Sequence, residues 1–204
     1  YRKPLGDGYN SLSIGAQIGM NQIAIDPNLL FFDSQYNPEI GLDETLVSGE
    51  GFTNTTMKAR DVNIGVAYNF DLDRSVPVRG EVGLAIYHVN NPKMNTMLGE
   101  TMNFPRKVVL HGRAYFALNE SFGVEPMAMY AGQGSARELI AGIGFGFNMS
   151  DTTGFKLGIG NRFKDAILFT AQFNMQKMSI GLGFDYNISS LRQANSFNNA
   201  MELS

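Results

Sequence analysis

The stretch LIAGIGFGF, Leu139 to Phe147, sets Leu139, Ala141, Ile143, Phe145 and Phe147 on odd positions and Ile140, Gly142, Gly144 and Gly146 on even ones. Alternation with a period of two puts each set on its own face of a strand. One face is greasy and the other nearly empty. A soluble sandwich would pack the greasy face against a second sheet, whereas a membrane barrel would turn it to lipid and keep the small side within.

The pattern recurs along the chain. Leu12, Ile14, Ala16, Ile18 and Met20 oppose Ser13, Gly15, Gln17 and Gly19, and in 62–70 Val62, Ile64, Val66, Tyr68 and Phe70 oppose Asn63, Gly65, Ala67 and Asn69. Similar alternation runs through 80–88, 108–116, 122–130, 155–162, 167–174 and 179–186. The expectation is about nine strands of roughly eight to twelve residues plus a short tenth near Met201 to Leu203, close to the ~10 residues of a tilted strand crossing a bilayer. Connections alternate in length: 21–61 is long, 71–78 short, 89–105 long and 118–120 short. The later ones, 131–137, 148–153, 163–165, Gln176-Lys177 and 188–199, continue the alternation weakly. Long loops on one side and short turns on the other mark outer-membrane barrels.

Opposite the apolar stripe lie Glu81, Arg113, Glu125, Lys156, Arg162 and Asp185, charges that a dry core would leave unpaired. The bulky side is therefore withdrawn from water and the charged, glycine-rich side is wet. Strand length, loop asymmetry and the glycines favour the membrane over a soluble lipid-binding barrel, whose exterior would carry Lys and Glu where this chain has Gly. Hydrophobic residues are 44% of the chain and mean hydropathy is -0.12, with no apolar run approaching the ~18 residues of a spanning helix. The net charge of -3 without a basic stripe argues against a nucleic-acid partner. Cysteine is absent, which fits an oxidising envelope but decides little.

Several stretches carry a resemblance together: HVNNPK (88–93), FPRKVVLHG (104–112), YAGQGSARELIAGIGF (130–145), GNRFKDAILF (160–169), IGLGFDYNISSL (180–191) and the closing MELS. In order and spacing they resemble the PorP/SprF family of the type IX secretion and gliding-motility system, and FFDSQYNPEIGLDE (31–44) sits where that family has an acidic, aromatic loop. The resemblance implies an all-β, antiparallel transmembrane β-barrel of the bacterial outer membrane. It implies a non-enzymatic protein, without cofactor, that binds a secreted surface protein through its C-terminal domain, or the secretion core, for export or cell-surface anchoring. By analogy about ten strands of a total near fourteen would lie in this chain, which reads as a single barrel domain over 1–204 with N-terminal strands lacking. No terminal aromatic of the barrel-assembly kind follows MELS. A passive porin or small-solute transporter is the alternative.

Candidate sites follow from these faces. The six charged residues read as a salt-bridged network facing the lumen, or as a filter that selects its traffic. Tyr68, Phe70, Tyr115, Tyr130, Phe147, Phe163 and Tyr186, near strand ends, read as interfacial girdles. In the long 21–61 connection, expected to be extracellular, Leu29, Leu30, Phe31, Phe32 and Tyr36 either fold back into the barrel mouth or dock a partner. His88 and His111, the only histidines, lack metal-ligand spacing and read as hydrogen-bonding residues. Nothing in the sequence joins His111 to Ser179 for esterase chemistry. The glycines at 142–146 lie inside a strand, which rules out a phosphate loop.

Overall fold

The structure, a computed structural model, describes residues 1–6, 9–43, 45–52, 55–72, 77–150, 152–189 and 199–204. Its main feature is one sheet of eleven strands in sequential order. They are β1 (Arg2–Leu5), β2 (Asn10–Ala24), β3 (Thr56–Leu72), β4 (Val78–Tyr87), β5 (Lys107–Ala117) and β6 (Phe122–Gln133). β7 (Ala136–Ser150), β8 (Thr153–Arg162), β9 (Ala166–Met175), β10 (Met178–Asn187) and β11 (Asn199–Leu203) complete it. β1 and β11 are its edges.

Two expectations change. The sheet gains β1, whose RKPL sequence has no alternation to betray it and pairs with β2 from Arg2 opposite Ser13 to Leu5 opposite Asn10. The expected loop 131–137 is mostly strand: Gln133 pairs with Ala136, and Gly134, at φ 57°, supplies the left-handed residue of a two-residue turn. At one end of the sheet the connections 6–9, 73–77, 118–121, 151–152 and 176–177 are all short. At the other, 25–55 and 88–106 are long, 134–135 and 163–165 tight, and 188–198 intermediate. The first long connection is thus shorter at both ends than 21–61.

The chain divides into two compact units. The first holds 1–16, 64–86 and 107–204. Here register turns alternation into rows. On one face Val124, Phe145, Leu157, Ala171, Leu182 and Leu203 stand opposite one another strand by strand. On the other, the row reads Glu125, Gly144, Gly158, Thr170, Gly183 and Glu202. The apolar rows are not covered by protein: Ile159 is 46% exposed, Phe169 44% and Leu182 50%. Toward the short-turn end, Phe122, Phe147, Phe155 and Phe173 form an aromatic row on this face. Phe147 lies 5.1 Å from Phe122 and stacks on Phe155 at 4.6 Å between ring centres.

The glycines of the polar face make room for their neighbours. A Cβ on Gly83 would overlap the His111 imidazole, and one on Gly123 would overlap the Tyr115 ring. Large polar side chains therefore lie flat across glycines of the adjacent strand.

The second unit holds 17–63 and 87–106. Its small core is Met57, Ala59 and Met94, with Ile25, Met97 and Phe104 packed against it. β3 runs through both units and its alternation inverts between them. From Ile64 to Phe70 the even positions are apolar and the odd ones are Gly65, Ala67 and Asn69; from Thr56 to Asp61 the odd residues Met57, Ala59 and Asp61 are buried, and Thr56, Lys58 and Arg60 are exposed. In β2 the apolar parity changes in sequence, from Ile14, Ile18 and Met20 on even positions to Ile23, itself still exposed, and, just past the strand, Ile25, which packs on the small core.

Candidate functional site

The polar face of the first unit holds the six charged residues, in separate groups. Glu81 Oε1 lies 3.1 Å from His111 Nε2, the imidazole that Gly83 accommodates. Lys156 Nζ donates to Glu125 Oε2 at 3.1 Å. Tyr115 lies beneath two cations, Arg79 at 5.0 Å and Lys156 at 5.9 Å from the ring centre, within cation–π range. Tyr115 thus belongs to the polar face and not to a girdle. Arg113 shares with Glu125 and Lys156 a hollow of about 640 Å³ that Thr170, Gln172 and Glu202 also line; among the described residues it has no ion-pair partner.

Arg162 is the hub of the third group. Nη2 donates to Asp185 at 3.1 Å and Nη1 to Asp165 at 3.0 Å, while Nε stands 3.3 Å from Glu138 without a hydrogen bond. Three carboxylates thus surround one guanidinium. Sequence reasoning missed His111, Glu138 and Asp165 as partners. Asp165 was findable as the i+3 residue across a tight turn, whereas Glu138 and His111 required the register. Ser179 on β10 hydrogen-bonds Asn174 and Gln172, both on β9, and His111 is engaged with Glu81 on β4.

In the second unit, HVNNPK is a clasp on strand β3. His88 takes a left-handed backbone, φ 58°, and its Nδ1 lies 2.9 Å from Asp61 Oδ1, a carboxylate on a residue only 7% exposed. The His88 amide donates to Asn63 Oδ1 at 2.9 Å, and the Val89 amide to the Val62 carbonyl at 2.9 Å. Asn90 accepts from the Val62 amide at 3.1 Å and donates to the Arg60 carbonyl at 2.9 Å. Phe104 packs on the His88 ring, 5.8 Å between centres. A buried carboxylate is thus matched by the one imidazole in reach.

The 25–55 connection is folded by its own bonds. Gln35 ties it: its Oε1 accepts from the Phe32 amide at 3.2 Å, its Nε2 donates to the Leu46 carbonyl at 3.0 Å, and its carbonyl accepts from the Asp43 amide at 2.8 Å. Tyr36 pairs with Leu42 in a minimal hairpin, and Ser34 Oγ donates to the Ser48 carbonyl. Asp43 Oδ1 accepts from the Thr45 amide and hydroxyl at 2.9 and 2.6 Å; these bonds hold its carboxyl below the ordinary carboxylate range. Of the residues expected to dock a partner, Leu29, Leu30, Phe31 and Tyr36 are exposed. Phe32 is half-buried against Phe52, 5.5 Å between ring centres, and serves the loop's own packing.

An up-and-down antiparallel sheet, apolar on its uncovered face and polar and glycine-rich on the other, is the construction of an outer-membrane β-barrel wall. The family model for the type IX secretion system membrane protein PorP/SprF matches residues 1–204. The chain belongs to this family, whose members are membrane components of that secretion system. Among curated proteins and among solved structures, nothing matches the chain.

Proposed function

We propose that this chain forms wall strands of a closed outer-membrane barrel and serves type IX secretion as a non-enzymatic docking component. The observation that carries this is the uncovered apolar face: rows of Phe, Leu and Ile stand exposed in the first unit, and lipid is the medium that buries such rows opposite a charged face. The inversion in β3 and β2 supports a membrane boundary near residues 61–64 and 20–23. On this reading the long connections are extracellular and hold a secreted surface protein, while the short turns face the periplasm and the secretion machinery. On the same reading the six charged residues line the lumen in local groups, Glu125 with Lys156 and Arg162 with Asp185, while Glu81 meets His111 and Arg113 faces the hollow.

The test is gentle detergent extraction from native outer membranes followed by mass spectrometry of what co-purifies. A stoichiometric surface protein or secretion component is the expected result. The porin alternative draws on the polar hollow and on Arg113. A lone barrel that conducts ions in a planar bilayer would replace docking with that reading.

A further inference from the structure

The 25–55 connection combines an exposed apolar surface with charge of one sign. From Pro4 to Met57 the chain has no Lys, Arg or His, while Asp26, Asp33, Glu39, Asp43, Glu44 and Glu50 all fall inside the connection. Six carboxylates in one segment exceed the net charge of -3 of the whole chain. Glu44 is outside the described residues; Asp33, Glu39 and Glu50 are exposed. In the same connection Val47 is 85% exposed, Leu29 75%, Ile40 70% and Tyr36 60%. The cations of the same unit, Lys58, Arg60, Lys93 and Arg106, belong to β3 and to the second long connection.

We propose that this folded loop is a docking surface for a protein that presents an apolar patch rimmed by Lys and Arg. Three observations converge. First, the apolar side chains are held out by a loop that Gln35, Ser34 and the Phe32–Phe52 contact keep folded, so their exposure is built and a partner meets little ordering cost. Second, large apolar side chains left exposed among the carboxylates of one folded connection mark it as an interaction surface. Third, the carboxylates select the partner's sign, because like charges across an interface are costly and opposite ones steer the encounter. A second copy of this loop is excluded as occupant by the same charge, and an anionic lipid surface would be repelled. This inference deepens the docking reading by giving the partner's chemistry, and it rests on that reading for the loop's extracellular place.

The test uses the full-length protein in phosphatidylcholine nanodiscs, which add no net lipid charge. Two fluorescent amphipathic probe peptides share one apolar face, of Leu and Phe, and carry either Lys or Glu on the other. By fluorescence anisotropy at low salt the Lys peptide is expected to bind at least about tenfold more tightly, and the advantage to fall severalfold toward 1 M salt, where screening acts within about 3 Å. Leu29→Ser with Val47→Ser should remove binding of the Lys peptide. Asp33→Asn with Glu39→Gln and Glu50→Gln should remove only its advantage over the Glu peptide. Equal binding of the two peptides, or binding that ignores both sets of substitutions, would overturn the proposal. A native partner that co-purifies but is released by neither salt nor these variants also overturns it while leaving docking intact. Probe binding to a barrel that co-purifies with nothing preserves the surface and sinks the docking reading.

Discussion

Strand β3 sets two environments side by side. Between Ile64 and Phe70 its even positions are apolar, with Ile64, Val66 and Tyr68 uncovered by protein, and its odd positions are small or polar. Between Thr56 and Asp61 the same odd positions are buried, Met57 and Ala59 among them, while Thr56, Lys58 and Arg60 meet solvent. The parity of the more buried face does not change along the strand, although the pairing with β4 begins only at Ile64 and the His88–Asn90 clasp takes over before it. What changes is the medium on each face, so an amphipathic strand reports its surroundings and not only its own period.

The sharpest way to break that comparison is to put the same charge on the same face in both halves. Val66→Arg should cost about 2–4 kcal/mol, as cations do near the midplane of a barrel's lipid face. Thr56→Arg, on the same parity where that face is expected to be wet, should stay within about 0.5 kcal/mol. Reversible unfolding by denaturant from phospholipid vesicles measures both. Equal costs would mean that the inversion is not a membrane boundary.

Next comes the small core. Met94, at 4% exposure, fills the cluster with Met57 and Ala59. Met94→Ala should cost about 2 kcal/mol, the low end for such truncations because a cluster this small collapses readily. Hydrogen exchange should then quicken in residues 56–63 and 88–106 and stay unchanged in β6 to β10. Uniform quickening would show that the two units unfold as one.

A smaller effect probes the glycine-rich face. Gly83→Ala drives a methyl into His111 and should cost about 1–2 kcal/mol, most of it recovered in a double variant with His111→Ala. Gly144→Ala makes only ordinary contact, 3.6 Å from Glu125 Cβ, and should be nearly neutral by the same unfolding assay.

How far these features were legible in the sequence follows from the same contrast. The faces of β5 to β10 could be read because their surroundings are constant, so parity alone sorts Phe145 from Gly144. β1 was hidden because Lys3-Pro4-Leu5 has no alternation and owes its place to pairing with β2. The inversion was present in TMKARDVNIG, but a single period carried along the chain discards the residues where phase flips. The family motifs identified the protein's class, yet HVNNPK acquired a physical reason only when His88 met Asp61, 27 positions away. Among the charges, sign and face were readable and partnership was not: Glu81 took His111, while Arg162 gathered two carboxylates besides Asp185.

The least perturbing test asks whether the 25–55 connection keeps its fold. Asp43 is partly exposed, and its bonds from the Thr45 hydroxyl and amide hold its carboxyl below the ordinary range. A depressed folded-state pKa contributes stability that is present above the unfolded value and lost as pH falls through the folded one. Thr45→Val deletes the hydroxyl bond and keeps the amide bond, so the Asp43 titration should move upward part of the way, read by NMR of a side-chain-labelled sample. Global stability should not change measurably, because the carboxyl is solvated in either state. A titration that does not move would mean that the turn is open in solution, and a loop open there would present Leu29 and Val47 as a loose tether. The ordering cost would then fall on the binding step, and the preformed acidic, apolar surface would lose its main advantage over any other exposed segment.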